Sequence, residues 1–311
     1  MILINPAIRL GIRHFRNSRS IRNQVEEHSK QLTSPFLFLK SKYVDRFVSD
    51  PIIYFDIGAR FGPQNFNTNL YGLMHFVACD ADPDENSNLY LDFQKTKFTI
   101  ISNAIAGTNG ERTLYLTNKP ACSSLLPPEG HSLALRGGSL RNLDRFKIKK
   151  EVQIMTKTLK DSLPIEFKNI DILKVDVQGL EFEILTGLGL IRPFLICAEC
   201  STVEIYKGQK TFFSVGLLLE ELGYMPLKFM EIQLVPNTLA DYQSCIPVHG
   251  DVIFVPDNSA NGRAIIERDV EKWFASLCMH GYMDFALWQI EELKIPKPPL
   301  VIQTEELLKN S

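Results

Sequence analysis

The order of apolar runs along this 311-residue chain predicts an α/β fold. The expected architecture is a doubly wound, mostly parallel seven-stranded sheet with an inserted antiparallel ribbon and helical N- and C-terminal extensions. Three observations predict it. Strand-length apolar runs alternate with helix-length stretches. Four of the strand runs end at or beside an acid: Asp56, Asp80, Asp176 and Glu199. A glycine loop, Gly58 to Gly62, follows the first of them. Ligands of open α/β sheets sit beyond the carboxyl ends of the strands. The topology therefore gathers four carboxylates at one rim.

Taken in order, Ile52–Ile57 reads as the first strand, Asn67–Met74 as a short helix and Phe76–Asp80 as the second strand. Pro83 opens a helix to about Phe93, because proline is tolerated in a first turn. Phe98–Ser102 is the third strand. Thr108-Asn109-Gly110 is a turn signal, and Thr113–Thr117 alternates after it. An antiparallel ribbon is expected there, with Glu151–Thr156 as its returning strand. Residues 118–150 between them read as a long basic loop carrying Arg136, Arg141, Arg145, Lys147, Lys149 and Lys150.

Alternation resumes with Ile170–Val175, ended by Asp176, and Gly179 turns the chain into a helix over Glu181–Leu185. Phe194–Ala198 follows, capped by Glu199. Thr211–Leu222 is a helix stopped by Gly223. Met225–Met230 and Val252–Val255 are the last strands. Arg263–Leu277 and Phe285–Leu293 are helical, broken by Pro296, Pro298 and Pro299. The expected divisions are a basic helical arm at 1–45, a sheet domain at 46–256 and a helical extension at 257–311.

A net charge of −2 provides no global field for nucleic acid. No apolar run approaches the roughly 20 residues of a membrane span. The N-terminal stretch lacks the apolar segment of a signal peptide, so the expected location is cytoplasmic. Arg9, Arg13, Arg16, Arg19 and Arg22 are interleaved with Ile8, Ile12 and Phe15. That arm reads either as a membrane-surface or partner-binding helix or as a solvated basic arm whose faces separate poorly. Six scattered cysteines, with only Cys197 and Cys200 close together, read as buried free thiols in a reducing compartment.

The glycine loop points to a nucleotide-type cofactor. Asp56 aims a carboxylate at whatever the loop holds, and Gly58 and Gly62 remove two Cβ atoms from its path. It is not the dinucleotide fingerprint, because Arg60 stands where the middle glycine belongs. Asp80 ends the next strand about twenty residues on, where a carboxylate accepts ribose hydroxyls. The alternative for Asp80-Ala81-Asp82-Pro83 is a plain helix cap, with Asp82 as the capping residue.

Asp56-Ile57-Gly58-Ala59-Arg60-Phe61-Gly62 resembles the Asp-x-Gly-Ala-Asn-x-Gly loop of FkbM-type methyltransferases, which use S-adenosylmethionine. Asp80-Ala81-Asp82-Pro83 is similar to their Glu-Pro-x-Pro segment. Lys174-Val175-Asp176-Val177-Gln178-Gly179-Leu180-Glu181 resembles their Lys-Ile-Asp-Val-(Gln or Glu)-Gly-x-Glu signature, and Thr158-Leu159-Lys160-Asp161 their Thr-Leu-Asp-Asp. The ordered set spans roughly residues 50–230. The resemblance implies a Rossmann-like domain that methylates oxygen, on a sugar or natural-product hydroxyl. It implies that Asp56, Gly58 and Gly62 hold the methionine part of the cofactor, with Ala59, Arg60 and Ala81 also at the cofactor. Asp80 would hold the ribose, and Asn103 and Ala104 flank the adenine. Arg60 departs from the pattern; it either turns outward or contacts the cofactor carboxylate.

Methylating an alcohol requires alignment and a proton acceptor. Asp176 is the first candidate base or acceptor-steering group, then Glu199, then His249 just before the last strand. Glu181 reads as a residue that satisfies loop amides. No third ligand accompanies Asp176 and Glu199, so no metal is expected. The basic loop suits an anionic glycan, phosphate or acyl-carrier acceptor, or is simply solvated. Two competing functions are a nicotinamide oxidoreductase and a non-catalytic scaffold that keeps the fold.

Overall fold

The computed structural model describes residues 46–59, 72–81, 97–130, 143–236 and 245–310. The first strand, β1 (Ile52–Ile57), is buried on both faces, as a central parallel strand must be. β2 (Met74–Cys79) and β3 (Lys97–Ile101) extend the sheet on one side. The other side carries β7 (Ile172–Val175), β8 (Leu195–Ser201), β10 (Cys245–Pro256) and β9 (Tyr224–Pro236). The order is β3-β2-β1-β7-β8-β10-β9. All neighbours are parallel up to β8; β10 runs antiparallel to both β8 and β9. The seven-stranded, mostly parallel, Rossmann-like sheet is therefore present.

Register aligns the carboxyl ends. Ile57 stands opposite Cys79 and Val175, Cys79 opposite Ile101, and Val175 opposite Ala198. The next residues, Gly58, Asp80, Ser102, Asp176 and Glu199, begin one rim. Asp56 lies one position inside it, and Glu199 lies within β8 rather than capping it, because β8 continues to Ser201. The antiparallel partner brings Asp251 opposite Glu199 and His249 opposite Ser201.

The ribbon is a three-stranded sheet of β4 (Ala104–Ile105), β6 (Ile148–Lys157) and β5 (Gly110–Thr117), with β4–β6 parallel and β5–β6 antiparallel. β6 starts earlier than the charge pattern suggests: Lys149 and Lys150 are exposed strand residues, not loop. Glu183 ties this sheet to the large one. Its carboxylate accepts from the Arg112 guanidinium at 2.5 Å and from the Gly107 amide at 2.9 Å.

Short helices α1 (Leu159–Ser162) and α2 (Glu181–Thr186) flank β7 in sequence, and α3 (Phe212–Glu221) ends before Gly223, whose φ is +91°. The expected helix at 263–277 is two helices, α4 (Ala260–Glu267) and α5 (Val270–Met279), because Asp269 caps the second by accepting from the Lys272 amide at 3.0 Å. α6 (Met283–Glu292) follows. A further helix, α7 (Pro299–Asn310), starts at the very proline read as a breaker, since a first-turn proline lacks only an amide that no helix would use. Trp273 and Phe274 of α5 join one apolar core with Phe47, Ile52 and Phe254.

The opposite end of the sheet is closed by ions. Buried Asp171 accepts from the Ile53 amide at 2.9 Å and lies 3.5 Å from both Arg268 and Lys272. Lys272 also reaches Asp50 at 2.7 Å, and Arg46 meets Asp269 and Glu271. Cys79, Cys122, Cys197, Cys200 and Cys278 are buried and free. Among the described residues no helix is long and apolar enough to cross a membrane. The expected arm at 1–45, most of the helices at 67–74 and 83–93, and the loop core at 131–142 lie outside the described residues.

Candidate active site

The site begins where β1 and β7 end side by side. Gly58 has φ +85° and a Cβ placed there would stand 1.9 Å from the Asp176 carbonyl oxygen. Its amide and that of Ala59 both donate to the Cys79 carbonyl, at 2.9 and 3.1 Å. Gly58 is thus required by the crossing of two strand ends, in addition to any ligand it faces. Arg60 and Gly62 lie outside the described residues.

Asp56 is fully enclosed. Its Oδ1 is 3.4 Å from Lys174 Nζ, and its buried Oδ2 has no partner among the described residues. Burial pushes its carboxyl up to about 6, against the attraction of Lys174 and helped by repulsion from Asp176. Lys174 also reaches Asp176 Oδ2 at 3.5 Å. Burial disfavours the ammonium, but Asp56 and Asp176 outweigh it and raise Lys174. One enclosed cation therefore joins the two acids of adjacent strands.

Asp176 and Glu199 meet through Gln178. Gln178 Nε2 donates to Asp176 Oδ1 at 2.9 Å and to Glu199 Oε2 at 2.6 Å. Glu199 Oε1 is 3.0 Å from His249 Nδ1. A carboxylate can only accept here, so Nδ1 carries the hydrogen and Nε2 is the ring atom left to take a proton. The bond to Glu199 raises the imidazole above its ordinary range, against burial. The three residues offered for chemistry, Asp176, Glu199 and His249, form one connected chain across β7, β8 and β10.

Glu181 sits beneath them and serves the turn. Its carboxylate accepts the amides of Val177 at 3.1 Å and Gly179 at 3.0 Å. Burial and the charge of Glu199 push it up to about 8, against those backbone bonds. Among the described residues no cluster of three or more His, Cys, Asp or Glu side chains is arranged to hold a metal ion.

A wall stands over the acids. Tyr206 is buried, with its hydroxyl 2.9 Å from Gln178 Oε1 and 3.0 Å from the Cys122 carbonyl. Ser124 Oγ donates to the Gln178 carbonyl at 2.7 Å. The Glu129 amide donates to Ile205, and that of Lys207 to Pro127. Ile205, Tyr206 and Val248 form a small apolar cluster with Leu126 and Phe146. Asp80 and Ala81 follow β2, and Asp80 is close enough to raise Asp56. Asn103 and Ala104 follow β3, where Ala104 enters the small sheet opposite Thr156.

Gln178, Tyr206 and Asp251 were not singled out by the sequence reading. Gln178 and its neighbour Lys174 stand inside the signature run, which was the available signal. Nothing marked Tyr206, which reaches the site only through a loop.

The sequence profile of the methyltransferase FkbM domain matches residues 56–226, more than half of the chain. No curated protein matches it. Solved structures are similar at low identity. One is the 1,6-didemethyltoxoflavin-N1-methyltransferase of Burkholderia thailandensis, 12% identical, covering 83% of this chain and 92% of that one with a TM-score of 0.30. A methyltransferase FkbM from Methylobacillus flagellatus KT is 12% identical over 66% of this chain and 44% of its own, with a TM-score of 0.31. The magnesium protoporphyrin IX methyltransferase of Synechocystis PCC 6803 is 8% identical over 74% and 84%, with a TM-score of 0.34. The profile match decides the matter: the chain belongs to the FkbM methyltransferase family, whose methyl donor is S-adenosylmethionine.

Proposed function

We propose that this methyltransferase methylates a hydroxyl on a glycan or natural-product acceptor, with His249 as the general base. The observation that carries this reading is the 3.0 Å contact of His249 Nδ1 with Glu199 at the carboxyl rim. It leaves Nε2 to take the hydroxyl proton and gives the resulting imidazolium a carboxylate partner. Asp176 and Glu199 are weaker base candidates than His249, because both oxygens of each already face donors: Gln178 and Lys174 for Asp176, Gln178 and His249 for Glu199. The part of Asp176 is to steer the acceptor hydroxyl.

The residues present fit the cofactor. Asp56 Oδ2 is a buried acceptor without a donor among the described residues, which the amino group of the methionine part would supply. Asp80 would take ribose hydroxyls, and Asn103 and Ala104 would flank the base. Arg60 and Gly62 complete this set by resemblance alone. When bound, S-adenosylmethionine supplies an electrophilic methyl on a sulfonium. The rim acids suit that positive charge. The 122–130 segment and Tyr206 wall one side of the rim and hold Gln178 in line with the acids.

The basic side chains around 143–150 favour an anionic acceptor whose charge lies away from the reacting hydroxyl. The test is transfer of radiolabelled methyl from S-adenosylmethionine to a panel of neutral and phosphorylated glycosides. Incorporation into a hydroxyl, reduced about 10²–10⁴-fold by His249→Asn, supports the reading. Incorporation only into amines would sink it. Neutralising Arg141, Arg145 and Lys147 together should raise the KM of phosphorylated acceptors and leave cofactor affinity alone. Equal loss of both would remove the anionic preference.

A further inference from the structure

Gln178 has φ +57°, a left-handed conformation that costs a long side chain about 1 kcal/mol and suits Asn or Gly better. Its main chain is held there from two sides. Ser124 Oγ donates to its carbonyl, and the next amide, Gly179, is bound by Glu181. The side chain obtained at that expense reaches three groups from three segments: Asp176, Glu199 and Tyr206. The amide orientation is set by its partners. Nitrogen faces two carboxylates and oxygen faces a hydroxyl. Both hydrogens of Nε2 are used.

We propose that Gln178 is a positioning residue that divides the Glu199 carboxylate between its own amide and His249, and so fixes how tightly His249 holds a proton. The inference rests on the Glu199–His249 pair serving as the base. His249 is faced by Glu199 from β8, by Asp176 from the end of β7 and by Asp251 from its own strand. Lys174 balances Asp176 from the far side. With Gln178 in place, Glu199 Oε2 faces the amide and only Oε1 faces the ring. Without that donor the full carboxylate charge turns to His249. The imidazolium becomes too stable, and the ring is a proton acceptor at higher pH only.

The test is an NMR titration of histidine-labelled protein, with the His249 signal assigned by its loss in His249→Asn. Gln178→Asn is compatible with the left-handed backbone but too short to bridge. Gln178→Glu keeps the length and replaces the donor by a third carboxylate. In Gln178→Asn, His249 should bind its proton about tenfold more tightly than in the wild type. In Gln178→Glu the increase should be larger. S-adenosylmethionine affinity by calorimetry should stay unchanged in both. A His249 midpoint equal to the wild type in both variants overturns the proposal, even if melting temperatures fall. A midpoint moved upward supports it, and one moved downward overturns it, whether or not His249→Asn abolishes methyl transfer; the latter result judges the base assignment separately.

Discussion

The carbonyl oxygen of Asp176 lies 1.9 Å from the place a Cβ on Gly58 would occupy. The ends of β1 and β7 thus touch backbone to backbone, and the crossing also orders the acids. Asp56 precedes Gly58 by two residues, Asp176 is the partner in the crossing, and Lys174 lies between the two carboxylates. Gly58→Ala should therefore cost on the order of 3 kcal/mol, because it adds a clash with main chain to a strained φ. Chemical denaturation measures it. A loss under about 1 kcal/mol would mean that the strand ends part easily.

Glu199→Gln and His249→Asn should lower methyl transfer about 10²–10⁴-fold, the usual contribution of a positioned base. Cofactor affinity should hold in both, because neither residue is among those placed to bind the cofactor's methionine, ribose or adenine parts. In the wild type, activity should fall as pH drops through the raised His249 range, because the base must be neutral. Glu199→Gln should move that acid limb down. A pH–rate profile with no limb near His249, or an unmoved one, contradicts the base assignment.

Stability should decline as pH rises between about 4.5 and 8. The folded state holds a proton on Glu181 up to about 8 that the unfolded chain releases near 4.5. The folded state therefore binds more protons across that window, and unfolding becomes easier with rising pH. The slope is at most about 1.4 kcal/mol per pH unit for one proton. Asp56, pushed up to about 6, adds the same sign at the lower part of the range. Urea unfolding at several pH values should show a shallower dependence in Glu181→Gln. An unchanged dependence would mean that Glu181 stays ionised in the folded state.

At the opposite end of the sheet, Asp171→Ala should destabilise by about 3–5 kcal/mol. It leaves Arg268 and Lys272 without their shared buried partner. Calorimetric binding of S-adenosylmethionine below the lowered melting temperature should survive. Loss of binding with the fold intact would mean that the two ends of the sheet are coupled.

Much of this was legible in the chain because parallel strands announce themselves. Ile52–Phe55 is apolar throughout, and the acids at the ends of such runs had to fall at or beside the rim. β9 and β10 were read short. The half of β10 before Val252 carries His249, Gly250 and Asp251, and the antiparallel hairpin tolerates polar residues that a central parallel strand does not. The lysines at the start of β6 looked like loop because the small sheet exposes both side-chain sets there. Pro299 looked like a stop because first-turn proline and helix-breaking proline are the same letter. Gln178 was hidden for another reason. A left-handed backbone at a non-glycine residue leaves no local pattern, and Tyr206 arrives from 28 residues away.

Calorimetric titration of the protein with S-adenosylmethionine, beside NAD and beside the Asp80→Ala variant, tests the central claim most directly. Micromolar binding of S-adenosylmethionine, none of NAD, and at least tenfold weaker binding by Asp80→Ala is the expected result. A wild-type protein that binds no S-adenosylmethionine, or that binds NAD instead, would contradict the account.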